Sequence, residues 1–147
     1  MVSIDQLKQL REETGVSFAE CKKALEKSGG DINKAKEILR ELGKNLAFQK
    51  KQREVKTGLV ESYVHPGKKV GAIIELHCES DFVAKNPDFQ KLAHELCLQI
   101  TALGGEPQLL EQPWIKDETK TIKDLLNEYV AKLGENIVIK RFTRYEI

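Results

Sequence analysis

The sequence predicts an α+β fold: a three-helix bundle at the N-terminus, then a β-β-α-α-β core with a three-stranded antiparallel sheet. Three observations predict it. Residues 1–43 carry three short amphipathic segments, each opened by a capping residue and closed by glycine. Residues 57–78 carry two apolar-rich runs around a Pro-Gly turn. After two longer helical patterns, residues 137–145 are rich in β-branched and aromatic side chains. The boundaries that follow are a helical domain over 1–43, a basic linker over 44–56 and an α+β core over 57–147.

Each element has a local reason. Ser3-Ile4-Asp5-Gln6 is a capping box, in which the Ser3 hydroxyl accepts from the first turn and Gln6 answers back. Ile4, Leu7 and Leu10 then share a face, and Thr14-Gly15 breaks the helix. Ser17-Phe18-Ala19-Glu20 is a second capping box, with Phe18, Cys21, Ala24 and Leu25 on one side and Gly29-Gly30 at its end. Asp31 caps a third helix, with Ile32, Ala35, Ile38, Leu39 and Leu42 inward and Gly43 closing it. A bundle this small is marginal alone, so it leans on the rest of the chain or on a partner.

Lys44, Lys50, Lys51, Arg53 and Lys56 face a single acid, Glu54, across the linker. Lacking Gly and Pro, it reads as a partly helical, solvated connector. A phosphate-binding stripe is the alternative, disfavoured because no aromatic is interleaved for base stacking. In the hairpin, Leu59, Glu61 and Tyr63 alternate with Val60, Ser62 and Val64, and His65-Pro66-Gly67-Lys68-Lys69 forms the turn. On the return strand Val70, Ala72, Ile74, Leu76 and Cys78 share the apolar face, and Ile73, Glu75 and His77 the more polar one. Asn86 is an N-cap with Pro87 at the first helical position, opening a stripe of Phe89, Leu92, Ala93, Leu96, Ile100 and Leu103. Gly104-Gly105 and Pro107 stop it. Residues 106–119 read as irregular and hold the only tryptophan, Trp114. A last helix spans about Thr121 to Leu133 and ends at Gly134. The final strand completes the sheet, with both helices packed on one face.

Composition excludes several functions. The chain has 147 residues and a net charge of +1, so no global field selects nucleic acid or a membrane surface. No apolar run approaches about 18 residues, and no leader pattern opens the chain, so a cytoplasmic protein with no membrane partner is expected. Three scattered cysteines argue against a disulfide framework. Phosphate-loop, dinucleotide and HExxH motifs are missing, as is the Gly-x-Ser-x-Gly elbow. His77-Cys78 and His94-x-x-Cys97 make a poor metal set, because adjacent strand residues point to opposite faces. No cofactor, no metal and no enzymatic activity are expected, and binding is the default.

The segment Glu79-Ser80-Asp81-Phe82-Val83-Ala84-Lys85-Asn86 is the most informative. It places a large aromatic, Phe82, at the corner between a buried strand and a strong helix. An apolar residue at a corner either folds back onto the core or is presented to a partner.

The motifs together resemble the elongation factor Ts family. Thr14-Gly15-Val16, Cys21-Lys22-Lys23-Ala24-Leu25 and Gly30-Asp31 resemble its N-terminal helical domain. Cys78 to Asn86 resembles its core signature, and Gly134-Glu135-Asn136-Ile137 with Arg141-Phe142 its closing strand. The resemblance runs in order over nearly the whole chain. It implies a guanine-nucleotide exchange factor for the GTPase elongation factor Tu. It also implies that the helical domain is similar to a ubiquitin-associated fold and docks on the GTPase's nucleotide-binding domain. By the same resemblance Asp81 and Phe82 intrude near the bound magnesium, with Ser80 and Val83 shaping the turn. Arg11, Thr14, Phe18, Lys22 and Lys23 are the helical-domain contacts, and His65 and Trp114 are weaker candidates. Phe18 reads equally as a core staple and Trp114 as a lid. Longer relatives carry a second core half or an extra helical segment, whereas here one module leaves a sheet face bare, so a homodimer through the sheets is expected. Two alternatives remain at this stage: a non-exchanging adaptor built on the helical domain, and an RNA-binding module using the basic linker.

Overall fold

A computed structural model describes residues 2–147. The first three helices are α1 (Ile4–Thr14), α2 (Phe18–Lys27) and α3 (Ile32–Lys50). The N-caps are those the sequence marks. Ser3 Oγ accepts from the Asp5 and Gln6 N–H groups, Ser17 Oγ from Glu20 and Asp31 from Lys34. Only the serine half of each expected capping box forms: the Gln6 amide donates instead to the Gly30 carbonyl at 2.9 Å and ties α1 to the α2–α3 turn, and the Glu20 carboxylate pairs with Lys23. Leu7, Leu10, Cys21, Ala24, Leu25, Ala35 and Leu39 make the bundle's core.

Gly43 does not end the third helix, which runs on to Lys50. A glycine terminates a helix when the chain turns left-handed there. Here Gly43 is helical and buried, and a Cβ at this position would lie 3.8 Å from the Ala131 Cβ and the Asn127 carbonyl. The helix that carries Asn127 and Ala131 lies against it, at a distance that would leave even a Cβ here in ordinary van der Waals contact. That packing, and Ala47 on the main core, hold the extra two turns.

The core begins with the hairpin β1 (Thr57–Val64) and β2 (Val70–Cys78), and β5 (Val138–Glu146) later pairs antiparallel with β2. Register sets Leu59 against Leu76 and Ile74 against Phe142. The short helix α4 (Asp81–Ala84) fills the corner, and α5 (Pro87–Leu103) lies across β1 and β2. Ile74, Leu76 and Cys78 meet Phe89, Leu92, Leu96 and Ile100 in this layer. The final helix α6 (Ile122–Leu133) packs chiefly against α5 and α3 rather than flat on the sheet, so it joins the core to the bundle. Thr121 and Asp124 form its capping box in full.

The stretch expected to be irregular is ordered. It holds a 3₁₀ turn (Leu109–Glu111) and a small ribbon, β3 (Pro113–Trp114) with β4 (Asp117–Thr121). Two fully buried amides organise it. Gln112 Nε2 donates to the Gly104 and Pro107 carbonyls at 2.9 and 2.8 Å, and Gln99 Nε2 to Gln112 Oε1 and the Pro113 carbonyl at 3.0 Å. Gln99 Oε1 accepts the Ile115 N–H at 2.9 Å. A buried polar group must be matched, and these are matched at both ends.

Candidate functional site

The corner after β2 is built from the chain outward. Cys78, the last residue of the strand, is buried and its thiol donates to the Ser80 carbonyl at 3.3 Å. Burial, reinforced by the Glu135 carboxylate, pushes this thiol up to about 11, so it stays protonated near neutrality. Ser80 is extended and caps α4, accepting the Val83 N–H at 3.3 Å. One helical turn then separates the side chains by direction. Val83 and Ala84 enter the core, while Phe82 is left 82% exposed. Asp81 is exposed beside it and accepts from the Thr57 hydroxyl at 2.7 Å. Asn86 caps the Asp88 N–H at 2.8 Å and launches α5. Phe82 does not fold back onto the core.

Residues from the far end of the chain hold this corner. Glu135 Oε1 accepts the Glu79 and Ser80 N–H groups, each at 3.0 Å, and Oε2 accepts the Ser80 hydroxyl at 2.6 Å. The Asn136 N–H donates to Glu79 Oε2 at 2.6 Å. Asn136 Nδ2 donates to the carbonyls of Arg53 at 2.9 Å and Lys51 at 3.4 Å. Sequence reasoning noted Gly134-Glu135-Asn136 as a motif but assigned it no role. The one available signal was an acid placed directly after a helix-closing glycine.

In the bundle, the Arg11 guanidinium lies 6.0 Å from the Phe18 ring centroid, and Phe18 is 45% exposed. The Thr14 hydroxyl donates to the Leu10 carbonyl at 2.7 Å, finishing α1. Lys22 and Lys23 are exposed, and Lys23 pairs with Glu20 at 3.5 Å. Gly15, left-handed at φ +69°, lies against the Lys132 stem, and Lys132 Nζ reaches Asp88 at 3.5 Å. Asp88 follows the corner by two residues of cap and helix start. Through Lys132 the α1–α2 turn at Gly15 is linked to the start of α5.

His65 and Trp114 stand elsewhere. His65 is in the hairpin turn, one full strand away from Thr57 and the corner, roughly 26 Å at 3.3 Å per residue. Trp114 is half-buried and packs on the main core as a lid. His77 turns to Glu75 on the sheet's open face, whereas Cys97 is buried and donates to the Glu61 carbonyl at 3.4 Å. Two cations of the linker are engaged with the chain itself, Lys50 at the Gly134 carbonyl (3.0 Å) and Arg53 near Glu79 (3.9 Å). Among the described residues, no helix is long and apolar enough to cross a membrane.

Comparison with known proteins agrees at both ends of the chain. A family model described as "Elongation factor TS" matches residues 79–147, and one described as "Elongation factor Ts, mitochondrial, N-terminal" matches residues 2–48. The chain is 40% identical to the elongation factor Ts of Herpetosiphon aurantiacus, over 99% of this chain and 98% of that protein. It is 38% identical to that of Coprothermobacter proteolyticus with the same coverage, and 38% identical to that of Thermotoga petrophila over 99% of this chain and 96% of that protein. The first alignment spans 193 positions against 147 residues here, so at least 46 of its positions have no counterpart in this chain.

Proposed function

The chain belongs to the elongation factor Ts family and is a translation elongation factor, and we propose that it is the guanine-nucleotide exchange factor of elongation factor Tu. It binds the GTPase in its GDP form and opens the magnesium and phosphate site until GDP leaves. The observation that carries this reading is Phe82, almost wholly exposed on a corner whose every other apolar residue is buried. Such an aromatic has no folding role to explain it.

The mechanism needs no bond to be made or broken. GDP is held largely by its phosphates, its magnesium and the loops around them. Phe82 wedges apolar surface between elements of the GTPase, and the Asp81 carboxylate disturbs the surroundings of the magnesium. Contacts of the bundle, centred on Arg11, Thr14, Phe18, Lys22 and Lys23, supply binding energy that offsets the lost nucleotide contacts. By linkage, nucleotide must weaken the factor's grip as much as the factor weakens the nucleotide's. The bundle acts as a ubiquitin-associated-like dock in the cytoplasm. Stopped-flow release of a fluorescent GDP analogue from elongation factor Tu tests the reading. Acceleration by micromolar chain is expected, and an unchanged release rate with a folded chain refutes it.

We also propose that the active form is a homodimer joined through the sheets. The face turned away from α5 leaves Val60, Val64, Ile73 and Tyr145 exposed, arranged around the Arg141–Glu75–His77 cluster. Twofold pairing of such faces buries a self-complementary patch. Sedimentation equilibrium is expected to give a dimer at micromolar concentration, shifted to monomer by Val60→Lys with Ile73→Lys. A wild-type monomer at that concentration overturns it.

A further inference from the structure

We infer that Glu135 is the positioning residue of the exchange corner, holding Ser80, Asp81 and Phe82 in the one pose that reaches the GTPase. The inference rests on the exchange reading above. Phe82 is exposed, so packing cannot orient it. A single helical turn has no stability of its own, because its nucleation cost is unrecovered. Val83 and Ala84 seat α4 on the core, and the start of its turn, ahead of Phe82, must be fixed from outside.

Glu135 sets it. Its carboxylate takes two backbone N–H groups and one hydroxyl from consecutive residues, Glu79 and Ser80, just where the β2 ladder stops. Hydrogen bonds to an ionised acceptor are about twice as strong as neutral ones. Donating to Glu135 aims the Ser80 hydroxyl so that its lone pair meets the Val83 N–H, which fixes the first turn of α4. Glu135 thus acts through Ser80 on Phe82 without being the contact itself.

The neighbours of Glu135 extend the device. The Gly134 carbonyl accepts from Lys50, and Asn136 bonds both Glu79 and the carbonyls of Lys51 and Arg53. Residues 134–136 are the hub where the end of the bundle's last helix and the start of the corner meet. A partner that engages the bundle and the corner together needs their relative placement fixed, and this hub fixes it.

The test compares Glu135→Ala, Glu135→Gln and Glu135→Asp with the wild-type chain in GDP release at rising factor concentration. For Glu135→Ala the maximal rate is expected to fall about tenfold or more, since small misplacements of a positioned group cost up to about 10²-fold. The half-saturating concentration stays within about threefold, because the bundle still docks. Glu135→Gln, which keeps an acceptor and a group able to meet the Ser80 hydroxyl, recovers part of the rate. Glu135→Asp, one methylene short, recovers less. A maximal rate equal to wild type in any folded Ala or Asp variant overturns the inference, as does a loss confined to half-saturation. If Glu135→Ala does not fold, the Gln and Asp variants decide by the same criterion. Backbone hydrogen exchange separates the inference from the exchange reading. If the wild-type chain fails to release GDP, the exchange reading falls. Faster exchange at residues 80–83 in the variants, with the α5 amides unchanged, still upholds the positioning, and unchanged protection there refutes it.

Discussion

Asp81→Ala combined with Phe82→Ala is expected to remove nearly all acceleration of GDP release, a loss of about 10²-fold or more, while the chain stays folded. Two central contacts at about 2 kcal/mol each supply an effect of that size. The fold survives because neither side chain supports it. Phe82 touches solvent over most of its surface, and the Asp81–Thr57 bond is exposed and worth a fraction of a kcal/mol. The melting temperature should move by no more than about 4 °C. Phe82→Ala alone tests the wedge, and Asp81→Asn alone tests the effect on magnesium with the shape kept. Wild-type release from the folded double variant would move the activity off the corner: exchange would stand, and the wedge by Phe82 and Asp81 would fall.

The parts of this fold that were legible in the sequence are those whose causes lie within a few residues. Ser3, Ser17, Asp31 and Asn86 cap helices because a short side chain there meets the next turn's N–H groups. The corner was legible for the same reason, a strand end and a helix start with one aromatic between them. Gly43 was misread because the helix α6 that holds α3 together lies about eighty residues on. The ribbon at Trp114 was invisible because a two-residue strand has no period and its partner, Asp117–Thr121, is polar throughout, and its order comes from Gln99 and Gln112, buried amides that look like surface residues in sequence. Glu135 was missed as a site residue for a related reason. Its three donors lie 55 and 56 residues away, and nothing in the local sequence shows that this carboxylate is already engaged.

Asp124→Ala is expected to lower the melting temperature by roughly 4–12 °C, through a loss of about 2–3 kcal/mol. The residue does two jobs. It completes the α6 capping box with Thr121, worth about 1 kcal/mol. It also accepts from Arg40 Nη2 at 2.7 Å across the junction of bundle and core, a half-buried pair worth about 1–2 kcal/mol. Arg40 Nε is buried with no hydrogen-bond partner, so the guanidinium depends on Asp124. Burial acts to raise the Asp124 pKa, but the bonds from Thr121 and Arg40 outweigh it and hold the carboxyl below its ordinary value. A depressed carboxylate stabilises fully above its unfolded value of about 3.9 and loses that contribution as pH falls through the folded value. The stability gap between wild type and Asp124→Asn should therefore be constant near neutrality and close below about pH 4. The functional signature should differ from that of the corner variants. Loosening α3 from α6 leaves Asp81 and Phe82 intact but lowers the effective concentration of one docking surface once the other is bound. Half-saturation should rise, by about tenfold, while the maximal release rate is kept. A variant that melts early yet half-saturates as wild type would show that the α3–α6 junction serves stability alone, and that the GTPase itself orients the bundle.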